Sequence, residues 1–176
     1  MKSLFEWCVE NNSTIYKELY SATGEDLSCN ISYGSTKKVL WKCNLGHRYE
    51  AAPNHRTSSN TGCPYCANKK ILKGYNDLAT INPDLAREWN YEKNLDLKPD
   101  DVRANSNKKV WWKCSKGHEW KIDICSRNNG NSCPICANRI VLKGYNDLET
   151  INPNIAKEWN YEKNGDLKPN LVLAGT

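Results

Sequence analysis

Eight cysteine and histidine side chains form two groups whose residue types and spacing are typical of metal ligands. The first group is Cys43, His47, Cys63 and Cys66, and the second group is Cys114, His118, Cys133 and Cys136. In each group a Cys-x-x-Gly-His pair precedes a Cys-Pro-x-Cys pair, so two short loops offer three thiols and one imidazole. This is the ligand set of a closed, tetrahedral structural zinc site. The sequence therefore predicts two structural Zn²⁺ ions per chain.

A disulfide framework is the alternative interpretation of a chain with nine cysteines. The odd count, the absence of an apolar signal-peptide core in Met1–Asn12, and the matching histidine in both groups favour zinc. Cys8, Cys29 and Cys125 have no counterpart in the other copy, and we interpret them as small packing residues rather than ligands. Because thiol ligands require a reducing compartment, we expect an intracellular protein, in the cytoplasm of a bacterial or phage-infected cell.

Local patterns around the ligands predict the elements that position them. Val39–Cys43 and Val110–Cys114 are rich in β-forming residues and lead into the first ligand pair of each group. Trp120, Ile122 and Ile124 alternate with polar residues, which predicts a second strand and hence a short hairpin over the metal. The glycine before each ligand histidine suits a tight turn with a positive φ.

The segments that follow the two ligand groups repeat each other closely. Ala67–Val102 and Ala137–Val172 are identical at 26 of 36 positions, although most of these residues are far from any ligand. Their Asn-Pro dipeptides predict the starts of short helices. Leu85 and Trp89 are spaced i,i+4, which predicts that they share one face of such a helix. We therefore expect ordered connectors that pack on the metal-binding modules.

These patterns divide the chain into alternating modules. We name them the N-terminal segment with a partial connector copy (1–34), finger 1 (35–73), connector 1 (74–104), finger 2 (105–143) and connector 2 (144–176). With one Phe, one Met and a mean hydropathy of −0.78, the chain is poor in core-forming residues. A finger of this size needs its metal to fold. The predicted fold class is therefore a small, metal-stabilised α+β protein with short β-hairpins and short helical connectors.

Positive charge is concentrated in the two fingers. Residues 35–73 carry eight Lys and Arg against one acidic residue, and residues 108–143 carry eight against two, whereas the remaining segments are acidic. Basic modules with interspersed aromatic residues favour binding to a nucleic-acid backbone, with DNA as the first candidate. The candidate contacts are Lys37, Lys38, Arg56, Lys108, Lys109 and Arg127.

A protein partner is the main alternative to nucleic acid. In that interpretation the chain is an interaction module, such as an inhibitor or adaptor of a nuclease or of a phage-defence complex. A metal-dependent nuclease would need a histidine base and further metal ligands, but His55 is the one histidine outside the two groups. We therefore expect neither an enzyme nor a small-molecule or membrane-binding protein.

The motifs resemble those of a known family. Val110-Trp-Trp-Lys-Cys-x-x-Gly-His-x-Trp120, then Arg127, Cys-Pro-x-Cys and Leu-x-x-Ile-Asn-Pro-x-x-Ala-x-Glu-Trp are similar to the tandem treble-clef or probable zinc-ribbon repeats of bacterial and phage proteins. Finger 1 differs in having Leu40 and Tyr49 where finger 2 has tryptophans. The resemblance implies treble-clef or zinc-ribbon modules with Cys3His zinc sites. It also implies DNA binding, because such modules accompany restriction-endonuclease-like domains.

Overall fold

The protein folds into two compact units, of which the first ends at Leu72 and the second begins at Lys73. The computed structural model describes residues 2–175. The first unit holds the N-terminal segment and finger 1, and the second holds both connectors and finger 2. Within residues 2–175, no helix has the length and apolar character needed to cross a lipid bilayer.

Short elements follow one another along the chain. In the first unit they are α1 (Leu4–Glu10), a 3₁₀ helix (Ile15–Glu18), β1 (Val39–Lys42), β2 (Arg48–Ala51) and α2 (Pro53–Ser58). In the second unit they are α3 (Leu78–Ile81), α4 (Pro83–Ala86), α5 (Tyr91–Asn94), a 3₁₀ helix (Pro99–Asp101), β3 (Lys109–Lys113), β4 (Glu119–Asp123), α6 (Ile124–Asn128), α7 (Leu148–Ile151), α8 (Pro153–Lys157), α9 (Tyr161–Asn164) and a 3₁₀ helix (Pro169–Leu171). This confirms the predicted α+β class with short hairpins and short helices.

Each finger contains one antiparallel hairpin whose register places two aromatic rings opposite each other. Trp41 pairs with Tyr49 in β1 and β2, and Trp112 pairs with Trp120 in β3 and β4. All four rings are buried, and both Trp41 and Trp112 are fully inaccessible to solvent. Since burying one such ring contributes a few kcal/mol, these pairs are the largest apolar contribution to two very small cores.

Two sequence predictions about element boundaries are wrong. Ile124 does not continue β4, because the Asp123 side chain accepts a hydrogen bond of 2.8 Å from the Ser126 backbone amide and so caps α6. Leu85 and Trp89 do not share one helix, since α4 ends at Ala86. Trp89 instead forms a β-bridge with Trp112 of β3. Both Leu85 and Trp89 are nevertheless buried, as their spacing suggested.

Connector 1 packs on finger 2, the finger that follows it in the chain. Leu78, Leu85 and Trp89 share one core with Trp112 and Ile124. The Trp89 ring meets the Trp112 ring edge to face, with their centroids 5.4 Å apart. Connector 1 therefore forms part of the structural domain of finger 2 rather than a flexible spacer.

Candidate metal centres

The predicted ligand atoms converge at two points, one in each finger. In finger 1 the Sγ atoms of Cys43 and Cys66 are 3.8 Å apart, and the Nδ1 atom of His47 lies 3.3 Å from Cys66 Sγ and 3.7 Å from Cys63 Sγ. In finger 2 the corresponding distances are 3.9, 3.2 and 3.7 Å. In each group the ligand atoms all lie within 4.8 Å of one another.

These separations fit a tetrahedral zinc ion. Zinc bonds of about 2.3 Å to sulfur and about 2.0 Å to nitrogen place two tetrahedral thiolates about 3.8 Å apart, and a thiolate and an imidazole nitrogen about 3.5 Å apart. The distances in both fingers lie within about 0.3 Å of these values. Nδ1 is the imidazole atom that faces the thiols in both fingers, so we assign it as the zinc ligand.

A tight turn carries the first ligand pair of each finger. Gly46 and Gly117 have φ values of +82° and +81°, which confirms the role that the sequence predicts for them. The Gly46 amide donates to the Cys43 carbonyl at 2.8 Å, and the Cys43 amide donates to the His47 carbonyl at 3.1 Å. Burial raises the pKa of the Cys43 thiol, but hydrogen bonds from the His47 and Leu45 backbone hold it below its ordinary value. The turn is therefore built to stabilise a thiolate.

The second ligand pair lies in a single helical turn. The Ala67 amide donates to the Cys63 carbonyl at 3.0 Å, and Ala137 does the same to Cys133. Burial and the neighbouring thiols of Cys63 and Cys43 raise the pKa of Cys66 to about 11. Such a thiol is deprotonated at neutral pH by a coordinated cation rather than by its protein surroundings. The donor set is therefore that of a metal site and not of a reactive cysteine.

Both sites are structural in character because four protein ligands fill the coordination sphere of a tetrahedral zinc ion. Within residues 2–175, these two groups are the clusters of side chains that can hold a metal ion. The remaining cysteines lie outside both clusters. Cys8 is fully buried in the core of the first unit, Cys125 is half-buried, and Cys29 is exposed rather than packed.

Arg56 and Arg127, two of the predicted nucleic-acid contacts, point into their fingers. Arg56 is 5% exposed, and its guanidinium lies over the Trp41 ring and 2.9 Å from a Glu18 carboxylate oxygen. Arg127 lies over the Trp112 and Trp120 rings and forms an ion pair with Glu88. Each arginine thus ties the segment before the finger to the helix between the two ligand pairs. The Arg56 side chain is therefore almost closed off from solvent, and the Arg127 side chain is 12% exposed.

The four predicted lysines occupy equivalent exposed positions in the two fingers. The Lys37 amide donates to Ser35 Oγ and the Lys108 amide to Ser106 Oγ, each at 3.2 Å, so the same turn precedes both hairpins. Lys37, Lys38, Lys108 and Lys109 are all exposed. Among the described residues, none of these four ammonium groups lies within 4 Å of a carboxylate.

Several structural residues were not identified from the sequence. Glu18 and Glu88, the partners of the two arginines, lie 38 and 39 residues before them. The two glutamates are 70 residues apart, and this spacing was the signal that could have identified them. The segments around them have few other residues in common. Asn146 is another example, since its buried amide donates to the Ile135 carbonyl and so fastens connector 2 to the second ligand turn of finger 2.

His55, the remaining histidine, lies on the exposed side of α2 and outside both metal clusters. Its backbone carbonyl accepts hydrogen bonds from the amide and the hydroxyl of Thr61, which closes the loop before Cys63. His55 is therefore not one of the ligands of either metal cluster.

Comparisons with known proteins agree with this geometry. A "Putative endonuclease" of Escherichia phage T5 is 26% identical to this chain over 102 residues, which cover 57% of the chain. The chain spans about a third of that relative, 32% of its length. The model of the family described as "Probable Treble clef zinc finger domain" matches residues 6–69 and 85–139, so each match contains one zinc site and most of the segment packed before it. The chain therefore belongs to the probable treble clef zinc finger family.

Proposed function

We propose that this protein is a non-catalytic zinc-finger protein whose two basic modules bind the phosphate backbone of nucleic acid. DNA is the first candidate. The observation that carries the proposal is the repeated placement of two exposed lysines where each hairpin begins, namely Lys37, Lys38, Lys108 and Lys109. Within the described part of the chain, no carboxylate lies within 4 Å of the ammonium groups of these four lysines, and only Lys109 has an acidic residue, Asp123, as its cross-strand partner. Their charge can therefore interact with phosphate.

The lysines and not the arginines form the proposed contact surface. Lysine ammonium groups bind phosphate as mobile point charges, which suits contacts that do not depend on base sequence. Arg56 and Arg127 instead support the surface from within, since they hold the hairpin, the inter-ligand helix and the preceding segment together. We therefore expect binding with little sequence preference.

A structural role for zinc supports the non-catalytic part of the proposal. Each cluster supplies four ligands, whereas a catalytic zinc ion keeps one position for water or substrate. The phage T5 relative is described as a "Putative endonuclease", but most of its length lies outside the matched region. We propose that the shared zinc modules serve target binding and that cleavage resides elsewhere in that relative. Thiolate ligands also suit the reducing cytoplasm of a bacterial or phage-infected cell.

A mobility-shift series on duplex DNA, single-stranded DNA and RNA tests the proposal. Because each neutralised phosphate releases counterions, affinity for duplex DNA should fall by orders of magnitude between about 50 and about 200 mM salt. Substituting Lys37, Lys38, Lys108 and Lys109 together by alanine should weaken binding to all sequences. It should also reduce the number of phosphate contacts derived from the salt dependence by up to about four.

A matched control variant separates the effect of local lysine contacts on DNA affinity from the effect of net charge. Lys98, Lys157, Lys163 and Lys168 are also exposed, but they lie in the acidic connectors. The variant with alanine at these four connector positions has the same net charge as the variant with alanine at the four finger positions. The connector variant should bind DNA more tightly than the finger variant. Equal losses in both variants, or no binding by the parent protein at low salt, would overturn the proposal. The latter result would favour the adaptor function.

A further inference from the structure

The segment before each finger docks on that finger in the same way. In the second unit the Asn90 amide donates to the Trp111 carbonyl at 3.1 Å, and the Lys113 amide donates to the Glu88 carbonyl at 2.7 Å. The Asn94 side chain adds two hydrogen bonds to Trp111, one to its carbonyl at 2.8 Å and one from its amide at 2.9 Å. Connector 1 thereby covers the open edge of β3.

The first unit repeats this arrangement with different residues. The Tyr20 amide donates to the Leu40 carbonyl at 2.9 Å, and Leu19 forms a β-bridge with Trp41. Glu18 pairs with Arg56 as Glu88 pairs with Arg127. Two segments of different sequence therefore dock on their fingers with the same geometry.

Connector 2 has residues equivalent to the docking residues of connector 1. Among the described residues, however, no finger packs on them. Ile155, Glu158, Trp159, Asn160 and Asn164 correspond to Leu85, Glu88, Trp89, Asn90 and Asn94. Ile155 is 55% exposed, whereas Leu85 is 5% exposed. Asn160 and Asn164 are both exposed, although Asn90 is only 2% exposed. We call this set of five residues the connector 2 face.

The connector 2 face is already folded for docking. The Trp159 Nε1–H donates to the Leu167 carbonyl at 3.1 Å, as Trp89 donates to Leu97 at 3.0 Å. Asn160 caps α9 as Asn90 caps α5. Tyr161, which lies outside the face, is as exposed as Tyr91, at 56% against 57%. Other residues that connector 1 buries against finger 2 are also more exposed in connector 2, since Leu78 and Val102 are buried while Leu148 and Val172 are half-buried.

We propose that the connector 2 face is the docking site of a further treble-clef zinc module. Connector 1 defines the docking geometry: a strand edge of the module pairs with residues 158–160, and an aromatic ring of the module packs on Trp159. An arginine from the inter-ligand helix pairs with Glu158. A suitable module therefore has an aromatic residue two positions before its first ligand cysteine and an arginine nine positions after its ligand histidine, as both fingers of this chain do.

A second copy of this chain is a poorer occupant. The corresponding surfaces of finger 1 and finger 2 are already covered by the 3₁₀ segment around Leu19 and by Trp89. A second copy would have to displace a segment that is tethered to its own finger, and such tethering gives a high effective concentration. A module whose strand edge lacks its own preceding segment meets no such competition.

An extended chain tests the proposal directly. Residues 107–143 are appended after Thr176, which keeps the register of the repeat because Thr176 corresponds to Ser106. The extended protein should bind a third zinc ion by elemental analysis. Hydrogen exchange at the amides of residues 158–164 should slow at least about tenfold relative to the parent chain.

Two variants of the extended chain serve as a matched pair. Trp159→Ala should remove the protection of residues 158–164 and weaken retention of the third zinc ion against a chelator. Tyr161→Ala, which lies outside the face, should leave both unchanged. Failure to bind a third zinc ion, or binding without slower exchange at residues 158–164, would overturn the proposal.

Sedimentation of the parent chain at rising concentration tests whether a second copy of the chain occupies the connector 2 face. We expect a monomer whose sedimentation is the same in the Trp159→Ala variant. A dimer that Trp159→Ala dissociates would identify a second copy as the occupant and overturn the proposal.

Discussion

At the residue scale, the two arginines show how one side chain can serve several elements. Arg56 and Arg127 each lie over buried aromatic rings and each bind a glutamate from the preceding segment. Stacking on a ring leaves the edge of the planar guanidinium free to hold a carboxylate, which a lysine ammonium cannot reproduce. These residues therefore replace part of the apolar core that a domain of this size lacks.

Arg127→Ala should lower the free energy of unfolding by an amount on the order of 3 kcal/mol, because it leaves the Glu88 carboxylate half-buried and unpaired. Arg127→Lys should recover part of this loss. Urea denaturation of the zinc-loaded protein measures the change, and Arg139→Ala, at an exposed site of the same finger, should have little effect. A variant that stays fully stable but loses DNA binding would instead make Arg127 a phosphate contact.

Leu95 lies in a backbone conformation that suits glycine. Its φ and ψ are 54° and −122°, while Gly165 at the equivalent position of connector 2 has 56° and −124°. The Leu95 side chain is 77% exposed and contributes little packing in return. We predict that Leu95→Gly stabilises the protein by about 1 kcal/mol, through relief of backbone strain. The reverse change, Gly165→Leu, should lower the melting temperature. A Leu95→Gly variant that is less stable than the parent, or a Gly165→Leu variant that is as stable as the parent, would contradict the strain argument.

At the element scale, each finger is completed by a segment that supplies no metal ligand. Connector 1 adds hydrogen bonds along β3 and a tryptophan to the core of finger 2. Its short helices are each only four residues long, so they owe their stability to caps and packing rather than to intrinsic propensity. Asp77 illustrates this, since its buried carboxylate accepts from the Thr80 amide at 2.9 Å and caps α3.

Trp89→Ala should destabilise the second unit by about 3–5 kcal/mol, because it removes a buried ring and leaves a cavity against Trp112. Trp159→Ala removes the same residue type at the equivalent position, where fewer contacts are lost, and should change stability by less than about 1 kcal/mol. Thermal unfolding of the zinc-loaded variants measures both. Equal losses for both substitutions would show that connector 1 does not stabilise finger 2 by this contact.

Features that depend on nearby residues were predictable from the sequence. The ligand sets, the glycine turns and the hairpins each depend on residues within about 20 positions, and the structure contains all of them. The direction of connector docking was not predictable, since a regular repeat is equally compatible with packing on the finger before or after it. The positions of Arg56 and Arg127 depend on glutamates that lie 38 and 39 residues earlier in the chain. The sequence near each arginine therefore did not distinguish it from an exposed, charged residue.

At the scale of the whole molecule, the boundary between Leu72 and Lys73 separates two units that each contain one zinc site and the segment docked on it. Backbone contacts dock residues 19–20 on finger 1 and residues 88–90 on finger 2. No ligand of either site is drawn from the other unit. The natural division of this chain is therefore a docking segment followed by its finger.

Separate expression of residues 1–72 and 73–176 should give two folded proteins that each bind one zinc ion, while the full chain binds two. Metal removal should unfold either fragment, because neither core is large enough without its ion. Elemental analysis and far-UV circular dichroism before and after chelation measure these outcomes. A division after residue 104, which leaves connector 1 on the wrong fragment, should give a second fragment that binds zinc more weakly.

The order of docking segment and finger also has a consequence during translation. Each docking segment leaves the ribosome before the finger that covers it, so Trp89 stays uncovered until β3 and the ligands up to Cys136 have followed. Zinc capture by the nascent chain then completes the finger and its docking surface together. Synthesis in zinc-poor cells would therefore prolong the period in which these aromatic residues are open to chaperones and proteases.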